Sequence, residues 1–128
     1  MRSASAYLPT GFAVLLTLTG CSSISHSPLT HHERTERIPQ IDNAQVRTWR
    51  TVITPNQPLK LHRHDHPRVV TVLKGGTLNI LSPSGELEAT REWKAGESYW
   101  LDADPPHKTH FSINVGKEDI DVVITELK

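Results

Sequence analysis

Eight histidines are many for a chain of 128 residues, and the spacing of two of them suggests a shared task. His62 and His64 are two positions apart. On an extended strand successive side chains alternate between faces, so both imidazoles would project to one side with Lys60, and Leu59 and Leu61 to the other. Imidazoles so placed could clamp a divalent metal, since Zn, Fe, Ni, Cu and Mn all accept neutral nitrogen donors. A solvated strand face would carry the same pattern, so spacing alone leaves metal and solvent both open. His66 shares the parity but precedes Pro67, where a turn and exposure are expected. His26, His31 and His32 fall in a polar stretch and read as linker side chains. Glu86, Glu88, Glu92 and Glu97 lie near turns, where solvated charge is the default, and no nucleophile-base-acid set is visible.

The elements that must position these histidines are short. From Val46 onward, segments rich in Val, Ile, Thr and Trp alternate with turn signals, and nothing has the period of a long amphipathic helix. Strands are predicted over 48–54, 59–64, 69–73, 77–81, 90–93, 98–101, 110–114 and 121–127. Pro55-Asn56-Gln57-Pro58, Gly75-Gly76, Pro83-Ser84-Gly85, Ala95-Gly96 and Asp104-Pro105-Pro106 are among the breaks between them. An all-β sandwich or jelly-roll barrel fits eight such strands. Trp49, Trp93 and Trp100 fall on strands; Trp100 or Tyr99 could line a pocket, though packing is the commoner use of a strand aromatic. Asn114 suits a turn-stabilising side chain better than a catalytic one.

Composition narrows the partners. Fourteen basic residues balance fourteen acidic ones without a long run of either sign, so no nucleic-acid partner is implied. Cys21 is the only cysteine, which excludes an intrachain disulfide. Met1-Arg2 gives a positive start, no charged side chain occurs from Ser3 to Ile24, and the apolar stretch from Gly11 to Leu18 is too short to span a bilayer. Leu18-Thr19-Gly20-Cys21 resembles the lipobox of bacterial lipoproteins. That resemblance implies removal of residues 1–20, a diacylglycerol on Cys21 and a further acyl chain such as palmitate on the new N-terminus. Residues 21–45 read as a flexible tether and 46–128 as the folded domain. Ser22 after the cysteine favours the periplasmic face of the outer membrane in a Gram-negative cell.

The segment from His62 to Gly76 resembles the first motif of the cupin superfamily, His-x-His followed by a glutamate and then a glycine. The two histidines, the apolar strand and the glycine turn match, but Arg68 stands at the glutamate position. Gly96 and the run Pro105-Pro106-His107-Lys108-Thr109-His110-Phe111-Ser112-Ile113-Asn114 resemble the second motif, with His107 in place of its inner glycine. The resemblance implies a cupin-like jelly-roll β-barrel in which His62, His64 and His110 bind a divalent transition metal: Fe, Mn, Zn or Ni. Arg68 in place of a carboxylate would weaken cation affinity. It could instead pair with Asp65 or receive a small anion. His66 and His107 could add a ligand or face solvent. Two readings follow: a metal-dependent cupin enzyme acting on a small molecule, or a metal-free module that binds a small anion at Arg68 or docks a partner. A barrel that only forms a homodimer is a third.

Overall fold

The computed structural model describes residues 34–128, which form nine strands and no helix. They are β1 Glu36–Asp42, β2 Val46–Ile53, β3 Leu59–His62, β4 Arg68–Lys74, β5 Gly76–Leu81, β6 Leu87–Trp93, β7 Ser98–Leu101, β8 His110–Asn114 and β9 Ile120–Leu127. One sheet has the order β1-β2-β9-β4-β7 and the other β3-β8-β5-β6, with every neighbouring pair antiparallel. This is the jelly roll that the strand pattern and motif order anticipate.

Alternation decides what lies between the sheets. In β9, Ile120, Val122, Ile124 and Glu126 are buried while the residues between them are not. Val70 and Val72 of β4 share the apolar interior with Ile120, Val122 and Ile124, and Trp49, Ile53, Leu78, Ile80 and Trp93 complete the core. Each large apolar side chain taken from water contributes roughly 1.5–3 kcal/mol. The glycine turn of the first motif has a steric cause: a Cβ on Gly75 would collide with the Trp93 carbonyl, so the chain can pass β6 there only without a side chain.

Two expectations are corrected. Residues 36–42, assigned above to the tether, are strand β1, so the ordered domain reaches back at least to Thr35. The segment shows no apolar alternation because it is an edge strand exposed on nearly all its length, and it carries Pro39 beside a register shift, a place where an edge tolerates proline. Thr35 fixes its start by donating from Oγ1 to the Gln57 carbonyl at 2.9 Å. The second correction concerns β3, which ends at His62 and carries a register irregularity between Leu59 and His62. Leu59 therefore packs inward, whereas Leu61, expected on the same face, is 46% exposed. The signal segment, Cys21, His26, His31 and His32 lie outside the described residues.

Candidate metal centre

His62 is the last residue of β3, His64 lies in the loop beyond it, and His110 opens β8 directly opposite His62. The backbone holds His64 although the strand has ended. Its N–H donates to Asp104 Oδ2 at 2.7 Å, and its carbonyl accepts from the Asp104 N–H at 2.8 Å. Asp104 thus ties the loop of the first motif to the loop that leads into the second. The ring centroids of His62 lie 5.0 Å from those of His64 and 4.4 Å from those of His110. One nitrogen from each of the three rings falls within 4.8 Å of the other two.

The donor chemistry suits a divalent cation. His62 Nδ1 is 2.7 Å from the Lys60 carbonyl, an acceptor that requires Nδ1 to carry the proton and leaves Nε2 its lone pair. Glu126 Oε2 faces His64 Nδ1 at 3.6 Å and Asp104 Oδ2 faces His110 Nδ1 at 3.5 Å. These separations are long for hydrogen bonds, but both carboxylates favour the same tautomer. Burial, ahead of any charge, pulls the His64 pKa to about 2, and the Arg68 charge adds to the effect. Burial also lowers His62 and His110. All three rings are therefore neutral at pH 7, the state that ligates. A metal would find three imidazole nitrogens here, with further coordination positions left for water or a ligand.

Arg68 lies inside. It is 3% exposed, with one guanidinium nitrogen donating to the Asp102 carbonyl at 3.1 Å. No carboxylate of a described residue comes within 4.0 Å of it. Burial pushes its pKa down to about 10, offset in part by Asp104 and Glu126 at longer range, so it stays charged at neutral pH. The Asp65 partner weighed for it pairs with Arg63 instead.

An inner cavity of about 30 Å³ is lined by all three histidines together with Arg37, Arg68 and Arg91. It shares Arg37, His62 and His64 with an outer pocket of about 390 Å³ that also meets Trp49, His66 and Glu126. The Trp49 ring lies parallel to His64, at 6.3 Å and 2°, and carries Arg37 4.4 Å from its centroid. His66 is exposed at the rim, as its position before Pro67 suggested. His107 is exposed, with φ at 63°, a left-handed conformation that accounts for the glycine usual at that motif position. Trp100 is 54% exposed and donates to Asp102 Oδ1 at 2.8 Å, away from the inner cavity.

Known proteins are similar to this chain in sequence and fold. The β-alanine degradation protein BauB of Pseudomonas aeruginosa is 33% identical over 97 residues, which cover 74% of this chain and 97% of that one. A cupin domain from Bordetella pertussis matches with a TM-score of 0.63 and 26% identity over 74% of this chain and 94% of its own. The chain belongs to the cupin superfamily. An RmlC-like cupin with a double-stranded β-helix fold from Methanocaldococcus jannaschii shares the fold at a TM-score of 0.56 and 9% identity, covering 84% of this chain and 93% of that one. No protein-family model matches the chain.

As a cupin, the chain has the histidines its two motifs imply and an exchanged charge beside them. Arg68 occupies the glutamate position, and its cross-strand partner in β9 is Glu126, whose carboxylate faces His64. Sequence reasoning missed Glu126, Asp104, Arg37 and Arg91. Alternation offered a signal for Glu126, which follows Ile120, Val122 and Ile124 at intervals of two. Arg37 was hidden in the supposed tether.

Proposed function

We propose that this cupin holds a divalent transition metal, Fe, Mn, Zn or Ni, on His62, His64 and His110, and acts on a small molecule outside the cytoplasm. The observation that carries this reading is the convergence of three neutral imidazoles on one inner cavity, two of which, His62 and His64, also border the outer pocket. A metal bound there would act as a Lewis acid or activate water or oxygen. The chain's own groups do the rest. Lys60, Asp104 and Glu126 set ring orientation, and Trp49 with Arg37 forms one wall of the entrance. A relative named for β-alanine degradation supports a small-molecule role, with the reaction left open.

Lipidation of Cys21 would anchor the domain to the cell envelope, with the outer-membrane periplasmic face favoured by Ser22. The support is the Leu18-Thr19-Gly20-Cys21 run after an uncharged apolar stretch. Cys21→Ser should abolish incorporation of labelled palmitate and move the protein out of the membrane fraction; unchanged labelling would exclude this anchor.

Metal per chain, measured by mass spectrometry on untagged protein, tests the centre. Near-stoichiometric metal in the parent should be lost in both His64→Ala and His110→Ala. Folded protein without metal after growth in each of the four metals would overturn the reading. It would favour a metal-free module for small anions, a role that buried Arg68 supports.

A further inference from the structure

The walls of the inner cavity carry cations without a matching carboxylate. Arg37, Arg68 and Arg91 line it, yet no aspartate or glutamate does. Asp104 and Glu126 lie close by, but their oxygens face histidine Nδ1 atoms. Arg68 is the sharpest case, a guanidinium almost wholly buried whose one hydrogen bond goes to a neutral carbonyl. Burying a charge without a counter-charge is among the costliest arrangements in a protein, and it persists where a ligand supplies the opposite sign. A polar orphan lies on the same wall: the buried Thr51 hydroxyl has no hydrogen-bond partner among the described residues.

The lining narrows the anion. The inner cavity is small, at about 30 Å³, and the three histidines line it too. A carboxylate presents two acceptor oxygens in one plane. The planar guanidinium fork matches a carboxylate edge. Apolar side chains such as Leu59, Leu78 and Ile80 make up much of the remaining wall and offer nothing to another polar group. The body of the ligand would then extend into the outer pocket of about 390 Å³, past Arg37.

We propose that the inner cavity binds the carboxylate group of a small organic acid, held by Arg68 with Arg91 beside the three histidines. This deepens the reading of the centre as a small-molecule site and rests on it. The role is one of binding, and no bond is made or broken by either arginine.

The test uses the full-length chain in detergent, with calorimetric titration of propionate, and of phosphate and propylamine as controls. Propionate should bind saturably and the amine not at all. Arg68→Met should weaken propionate roughly tenfold or more, the loss of one charge-assisted contact, and raise the melting temperature of the ligand-free protein. Arg91→Gln, at a half-buried position, should weaken it by roughly threefold to tenfold and leave the fold intact. Propionate binding unchanged in Arg68→Met would overturn the proposal, as would a lower melting temperature in that variant, which would make the guanidinium a structural group. Phosphate bound as tightly as propionate would overturn the assignment to a carboxylate. Metal content read on the same samples separates this inference from the one beneath it. Metal present without propionate binding sinks the carboxylate alone; propionate bound without metal sinks the metal centre alone.

Discussion

Arg68 and Glu126 are opposite in charge and directly paired across β4 and β9, yet they form no ion pair. Glu126 is turned toward His64 Nδ1, so the carboxylate absent from the motif position reappears one strand away, facing one of the clustered rings. Removing its charge should loosen that ring: Glu126→Gln is expected to lower metal affinity by roughly 10–100-fold with the fold intact, measured by competition with a chromogenic chelator. An unchanged affinity would reduce Glu126 to a bystander. The histidines also make the metal-free protein acid-sensitive. Burial holds their pKa values below the ordinary one, so the unfolded chain takes up protons near pH 6.5 that the folded chain does not. Their contribution is full above about pH 6.5 and is lost as the pH falls below it. His64, pushed to about 2, alone accounts for at most about 1.4 kcal/mol per pH unit. Urea unfolding of chelator-treated protein between about pH 7.5 and 5 should show this decline, and His64→Phe should flatten it. The three clustered histidines were legible because two motifs fix them in order along the chain. Asp104 and Glu126 were not, since a carboxylate gains meaning here only from a ring brought to it by the fold.

Eight of the nine strands stood in the sequence as Val, Ile and Thr runs between turn residues, and their observed bounds move by only a few positions. β1 escaped because an exposed edge strand needs no apolar face. Its pairing comes from backbone hydrogen bonds to β2, which composition does not encode. The irregularity in β3 escaped for a related reason: a strict period of two placed Leu59 and Leu61 together, and one shifted residue separates them. Asn114 was read as structural, and its contacts agree. It is fully buried, donates to the Ile53 and Glu118 carbonyls at 2.8 and 2.7 Å, and accepts from the Gly116 N–H at 2.9 Å. By these bonds the end of β8 is joined to β2 and to the turn before β9. Asn114→Ala should cost roughly 2–4 kcal/mol, several buried groups losing partners at once, without changing the metal affinity of the protein that remains folded. Denaturant unfolding and chelator competition on one preparation would check both halves of that expectation.

At the scale of the molecule, β9 is central to the first sheet, bonded to β2 over eight residue pairs from Val46↔Leu127 to Ile53↔Ile120 and to β4 on its other side. β1 is the outermost strand of the same sheet, with one neighbour. Native-state hydrogen exchange should separate them widely. Amides of Val122 and Ile124 should exchange only on global unfolding, and those of β1 at least roughly a hundredfold faster through local opening. Equal protection across the sheet would make β1 as firm as its neighbours. The outer pocket beside the histidine cluster draws on both, with Arg37 supplied by β1 and Glu126 by β9. It is therefore bounded on one side by an edge strand: local opening of β1 would take Arg37 from Trp49 and widen the entrance, while β3 and β8, in the other sheet, would keep His62 and His110 in place. Traffic into the cavity would then keep time with the breathing of a single strand.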